Sequence, residues 1–143
     1  SRAAELGIQL KLDGASNLSA EQLLLPSNVY ITILGNLIEN SIEALNQTPR
    51  TPKSILVSIR EEARRLFICV EDTGAGMYPG TVRYIFQQGF STKASGRGSG
   101  LALVKEVVDI YQGDLRVESQ PGVGTSFFIT FSSPLPESGN QRS

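Results

Sequence analysis

From Tyr30 to Leu45 the chain keeps a helical period. Tyr30, Ile33, Leu34, Leu37, Ile38, Ser41, Ile42 and Leu45 recur at spacings of three and four, which gathers them on one side of an amphipathic helix. Such a stripe must be buried against a second layer. The residues after it change period to supply one. Ile55, Val57 and Ile59 alternate through a strand at 54–60, and a second strand at 65–72 is apolar on both faces, as a central strand is. Residues 61–64 join the two as a hairpin.

The rest of the chain repeats the scheme. Ile8, Leu10 and Leu12 alternate ahead of Asp13-Gly14, giving a first edge strand. Ser27 or Asn28 is placed to cap the long helix, and Thr48 to Pro52 end it. Residues 73–99 lose periodicity and become rich in glycine, with at most a short helix at 81–86. A connection this long is a functional lid or disordered. A second helix covers 100–112, with Leu101, Val104, Val108 and Tyr111 inward and Gly113 as its stop. Leu115 and Val117 open another strand. Gly122-Val123-Gly124 turns into the last one, where Phe127, Ile129 and Phe131 alternate with Ser126, Phe128 and Thr130. The expectation is an α+β, two-layer α/β sandwich: a mixed sheet of about five strands with helices on one face. Residues 1–132 form one domain, and 133–143 a disordered tail.

Composition removes whole classes of function. There is no histidine among 143 residues, so imidazole metal sites and histidine acid/base catalysis are excluded. A net charge of -1 leaves no basic footprint for nucleic acid. No stretch approaches the roughly eighteen apolar residues of a membrane span. The single cysteine, Cys69, sits in an apolar run and reads as a buried, inert thiol.

Four clusters carry candidate chemistry. Asn36, Glu39, Asn40 and Glu43 share a polar side of the long helix. Asn36 and Asn40 are one turn apart, and such oxygens either ligate a hard cation that also holds phosphates or form a solvated face. Asp72-Thr73-Gly74-Ala75-Gly76 follows the central strand: an acceptor-only carboxylate for a ligand amino group, or an ordinary turn. Phe86 to Lys93 is either the anchor of a mobile lid whose Lys93 reaches a phosphate or exposed loop. Gly96-Arg97-Gly98-Ser99-Gly100 precedes the second helix, where open backbone N–H groups make an anion site or a flexible hinge. Neither the P-loop nor the dinucleotide fingerprint fits.

In order and spacing, Asn36-Leu-Ile-Glu-Asn40-Ser-Ile-Glu-Ala44, Asp72 to Gly76, Phe86 to Lys93 and Gly96 to Leu101 resemble the N, G1, F and G2 boxes of histidine kinases. The resemblance covers 8–131 and extends to the gyrase, Hsp90 and MutL ATPases. The wording of the first box, with Phe90-Ser-Thr-Lys93 and Gly100-Leu-Ala-Leu-Val-Lys105, is most similar to the citrate- and C4-dicarboxylate-sensing kinases.

The resemblance implies a Bergerat ATP-binding fold with a long ATP lid, and ATP and Mg²⁺ as cofactors. It makes Asn40 the metal ligand, with Asn36 and Glu39 supporting the metal and phosphate region. Asp72 takes the adenine amino group, and Gly74 and Gly76 let the chain turn under the base. Gly96, Gly98, Ser99, Gly100 and Leu101 bring the lid and helix N-terminus to the phosphates. Lys93 and Arg97 contact phosphate, and Thr125 lies beside the aspartate. Hydrolysing members carry a glutamate where Asn36 stands, and an amide is no general base. The implied reaction is transfer of the γ-phosphoryl group to a histidine on a dimerisation domain preceding Ser1, for relay to a response regulator. The implied setting is a monomeric cytoplasmic domain of a homodimeric protein in the bacterial inner membrane. The resemblance leaves three alternatives: a serine-directed anti-sigma-factor kinase, an ATP-sensing pseudokinase, or a hydrolysing ATPase.

Overall fold

The computed structural model describes residues 9–12, 25–47, 53–86 and 99–132. The tail, most of the expected lid and the Thr48–Pro52 helix end fall outside them. Strands β1 (Gln9–Leu12), β2 (Ser54–Glu62), β3 (Arg65–Asp72), β4 (Asp114–Gln120) and β5 (Gly124–Ser132) make one sheet in the order β1-β2-β3-β5-β4. β1 runs parallel to β2 and every other pair is antiparallel, so the sheet is mixed and β3 is central. Helices α1 (Ser27–Asn46) and α3 (Ser99–Ile110) form the second layer, and a short α2 (Pro79–Val82) follows β3.

The helical stripe and the strand alternation meet in one core. Ile33, Leu37 and Leu45 of α1, Val104 and Val108 of α3, and Ile55, Leu66, Ile68, Val70, Phe127, Ile129 and Phe131 of the sheet are buried together. Burying one such side chain contributes about 1.5–3 kcal/mol. Edge-to-face ring pairs tie the helix ends and lid base to the last strand. Tyr111 meets Phe131 at 6.5 Å between centroids, and Phe86 meets Phe127 at 6.3 Å. Among the described residues no helix is long and apolar enough to cross a membrane.

Four boundaries differ from the sequence reading. Neither Ser27 nor Asn28 caps α1: Pro26 is the N-cap, and its carbonyl accepts from Val29 N at 3.0 Å. The β2–β3 hairpin closes on two residues, Ala63 (φ 54°) and Arg64 (φ 66°), both left-handed. That is the conformation of a type I′ turn, which asparagine and glycine adopt more readily. The short helix is α2, ending at Val82 rather than reaching Phe86. At the end of α3 the left-handed residue is Gln112 (φ 57°), and Gly113 N donates to Val108 O at 2.8 Å as Gln112 N does to Asp109 O at 3.0 Å. This is a Schellman closure. Gly113 is required for space, since a Cβ there would stand 2.7 Å from the Phe131 ring.

Candidate functional site

Asp72 ends the central strand, between Ile55 of β2 and Thr125 of β5 in register. Only 7% of it is exposed. Its Oδ1 accepts from Gly74 N at 2.8 Å. The exit of the chain is held by Thr73, whose N donates to Ser54 O at 3.2 Å and whose Oγ1 accepts from Ser54 N at 3.1 Å.

The two glycines of this segment serve different needs. Gly74 is not in a left-handed conformation, and a Cβ there would lie 2.9 Å from both Ala44 Cβ and Asp72 Oδ1. It lets the loop close on α1. Gly76 does turn, at φ 72°, and a side chain would collide with the Gln120 carbonyl. The loop is thereby laid against the β4–β5 turn, where Gly122 N donates to Ala75 O at 2.7 Å.

Ser119 organises this junction, and nothing in the sequence singled it out. Its Oγ accepts from Met77 N at 2.8 Å, donates to Gly124 O at 3.2 Å and lies 2.8 Å from Thr125 Oγ1. A hydroxyl has one proton. With the Ser119 proton on Gly124, Thr125 is the donor of the third bond, and its own oxygen remains an acceptor beside Asp72.

Burial pushes the Asp72 carboxyl above its ordinary range, and the Gly74 amide, the Ser41 hydroxyl and the Thr125 amide pull in the opposite direction. Ser41 is fully buried, and sequence reasoning assigned it only to the apolar stripe. Its hydroxyl is near enough to favour the ionised carboxylate. Even so, Ser41 Oγ and Asp72 Oδ2 both lack a hydrogen bond of good geometry among the described residues. A buried polar atom left so costs about 1–3 kcal/mol. The strand end therefore presents a carboxylate oxygen with spare acceptor capacity beside a hydroxyl, the complement of a ligand amino group with an adjacent polar atom. A serine interrupting an apolar helical stripe is the signal that could have found Ser41.

A second group lies along α1. Asn36, Glu39 and Asn40 are half-buried. Asn36 Nδ2 donates to Thr32 O at 2.7 Å, and its Oδ1 faces α3, where a Cβ on Gly100 would stand 2.7 Å away. Asn36 and Gly100, far apart in sequence, are thus brought into contact. Ser99 opens α3, and Leu101 in its first turn packs against the core. Lys93, Gly96, Arg97 and Gly98 lie outside the described residues. Among the described residues no three acidic, cysteine or histidine side chains converge on a metal-sized space. Amide oxygens and a carboxylate on one helix fit instead a cation such as Mg²⁺, which keeps water and takes its remaining ligands from phosphates.

Cys69 is half-buried on the opposite sheet face and donates to Glu71 Oε2 at 3.4 Å. Burial first, then the Glu71 charge, pushes its thiol up to about 12. It takes no part in this site.

Comparison with known proteins gives the family and the fold. The sensor histidine kinase DcuS of Escherichia coli (strain K12) is 42% identical over 132 residues, covering 90% of this chain and 23% of that protein. A probable C4-dicarboxylate sensor kinase of Bacillus subtilis is 36% identical over 131 residues, 91% of this chain and 24% of that one. The chain spans about a quarter of the length of these relatives. Among solved structures, full-length ShkA in complex with AMPPNP superposes with a TM-score of 0.75 at 26% identity, over 94% of this chain and 27% of that one. The catalytic domain of histidine kinase ThkA shares the fold, with a TM-score of 0.73 at 20% identity over 92% and 82% of the two chains. The family described as histidine kinase-, DNA gyrase B-, and HSP90-like ATPase matches residues 27–136, and the chain belongs to it.

Proposed function

We propose that this chain is the Mg-ATP-binding catalytic domain of a sensor histidine kinase, donating the γ-phosphoryl group to a histidine carried elsewhere in a longer protein. The observation that carries the reading is the buried Oδ2 of Asp72, without a hydrogen bond of good geometry, next to the equally buried Ser41 hydroxyl. An ionised carboxylate accepts only, so it takes the amino group of adenine and rejects the carbonyl that guanine holds at the same place. The partial identity with a protein described in complex with AMPPNP supports the same ligand class.

The chain's residues divide the work by position. Asp72 holds the base, with Ser41 and Thr125 completing the polar wall and Gly76 keeping the loop under it. Asn40 supplies an oxygen to the metal, with Asn36 and Glu39 beside it. Gly100 and Leu101 start a helix whose open N–H groups and dipole favour phosphate, joined by Ser99, Gly96, Gly98, Lys93 and Arg97. Bound Mg²⁺ neutralises phosphate charge and orients the transferred group. Asn36, an amide, cannot activate water as a base, which favours transfer over hydrolysis.

The remaining assignments rest on the sensor-kinase relatives. The acceptor lies in the protein's own dimerisation domain, and a response regulator receives the phosphoryl group. The domain is cytoplasmic in a homodimeric protein of the bacterial inner membrane, monomeric by itself, and contacts neither nucleic acid nor membrane.

Calorimetric titration with ATP, ADP and GTP, with and without Mg²⁺, tests this while released phosphate is followed in the same samples. Adenine-selective, Mg²⁺-enhanced binding with negligible hydrolysis is expected. Rapid hydrolysis would move the chain to the ATPase branch, and no binding would make it a docking module.

A further inference from the structure

We infer that Ser119 is a positioning residue that sets base specificity: it commits the proton of the Thr125 hydroxyl and so makes the wall beside Asp72 accept hydrogen bonds only. The inference deepens the Mg-ATP reading above and rests on it. Strand register puts the residues concerned in one row. Asp72 of β3 stands opposite Thr125 of β5, and Thr125 stands opposite Ser119 of β4. Each is two residues from a side chain that packs in or against the core, namely Val70, Phe127 and Val117. Side chains alternate along a strand, so all three face the helix layer. Asp72 and Thr125 are buried, and Ser119, on the edge strand, is half-buried.

Three segments meet at the Ser119 hydroxyl. Met77 N, from the loop after β3, donates to it at 2.8 Å, Gly124 O lies 3.2 Å away and Thr125 Oγ1 2.8 Å away. An amide N–H only donates, a carbonyl only accepts, and a serine has one proton. All three contacts are hydrogen bonds in a single arrangement: Ser119 donates to Gly124 O, and Thr125 donates to Ser119. In the reverse arrangement the Gly124 contact is oxygen against oxygen with no proton between them. The Thr125 proton is therefore spent on Ser119, and Thr125 Oγ1 keeps only lone pairs for a ligand beside Asp72.

An ionised Asp72 also offers lone pairs alone. A base amino group is matched by such a wall, whereas a carbonyl at the same place meets acceptors at both Asp72 and Thr125. Ser119 does not touch the base, yet it decides that Thr125 cannot turn its proton toward a carbonyl. Without the Ser119 hydroxyl that proton is released, and a threonine free to donate or accept tolerates both kinds of base. The bonds from Ser119 to Met77 and Gly124 do different work. They hold the loop and the turn whatever the base is, so their loss weakens every nucleotide alike.

The test is a double-mutant cycle in the 143-residue chain, using Ser119→Ala, Thr125→Val and the pair. Calorimetry with Mg²⁺ measures ATP and inosine triphosphate, which carries a carbonyl where adenine carries its amino group, and circular dichroism and thermal melting follow folding. The readout is the ratio of the two affinities, which a purely structural loss does not move. Ser119→Ala is expected to lower the ratio of ATP to inosine triphosphate affinity by about tenfold, the worth of one hydrogen bond. Ser119→Thr, which keeps the hydroxyl, should stay within about twofold of the parent. In the Thr125→Val background no proton is left to commit, so adding Ser119→Ala should leave the ratio within about twofold while still lowering the melting temperature. If Ser119→Ala does not fold, Ser119→Cys, whose S–H is a weak hydrogen-bonding group, takes its place with the same expectation. Equal weakening of both nucleotides in the folded Ser119 variant would make Ser119 a structural residue only and overturn the inference. A fall in the ratio that persists in the Thr125→Val background would overturn the action through Thr125. Failure of the unsubstituted chain to bind Mg-ATP would overturn the underlying function, a separate outcome.

Discussion

Replacing Asp72 by asparagine changes one buried oxygen into a nitrogen at the place where, on the proposed function, the adenine amino group is read. In the folded protein Oδ1 is held by the Gly74 amide at 2.8 Å, so the substituted side chain keeps its oxygen there and turns its NH₂ toward the open position now held by Oδ2. A donor then faces a donor. The lost bond to a charged acceptor is worth about 1.5–3 kcal/mol, and the unmatched donors cost a further 1–3 kcal/mol. Together the loss is about 2.5–6 kcal/mol, roughly sixtyfold to twenty-thousandfold in ATP affinity. GTP, whose carbonyl now meets a donor, should lose nothing or gain, so the ratio of ATP to GTP affinity collapses. The same change should stabilise the ligand-free protein. Burial raises the Asp72 pKa, so the folded state binds protons that the unfolded state has released. Stability is then fully present below the ordinary carboxylate range and is lost as pH rises through the elevated value. The asparagine variant lacks this loss and should melt higher than the parent at pH 7, with the difference narrowing as pH falls. Calorimetry with both nucleotides and thermal melts across pH give every quantity. Undiminished ATP affinity in a folded Asp72→Asn protein would refute the assignment of the carboxylate. A difference in melting temperature that does not vary with pH would refute the electrostatic account.

Four shorter tests follow from other residues. Arg64→Gly should raise stability by about 0.5–1 kcal/mol in urea unfolding, because Arg64 holds a positive φ of 66° that glycine adopts without strain. Gly113→Ala should cost about 1–3 kcal/mol in the same assay, since its methyl would press on the Phe131 ring at 2.7 Å. Cys69, with its thiol pushed up to about 12, should resist iodoacetamide at pH 8 in the folded protein and react readily in urea. Asn40→Ala should weaken Mg-ATP by about tenfold or more without altering the melt, and in a full-length sensor kinase built on this domain it should block autophosphorylation. Normal phosphorylation there would remove Asn40 from the metal.

Local pattern was enough to outline the two layers. The helical stripe of α1 and the alternation in β2 and β5 record which side of each element is buried, and burial is what drives these segments to pair. The order of the four clusters was equally plain in the chain, and with it the ATPase family. Boundaries were not, because they depend on contacts between distant residues. Gly113 reads as a helix stop, yet Gln112 takes the left-handed position and Gly113 yields space to Phe131. Ser41 reads as one more inward residue of a stripe until β3 carries Asp72 beneath it. Ser119 carries no signal at all until the loop after β3 lies down on the β4–β5 turn and brings Met77 to its hydroxyl. The orientation of the Asn36 amide is local, set by Thr32 one turn away, but what its oxygen faces is decided by the packing of α3 on α1. Periodicity is a property of neighbours in sequence and can be read there; a hydrogen bond or a close approach across the fold is a property of three-dimensional position, and only the packed core determines it.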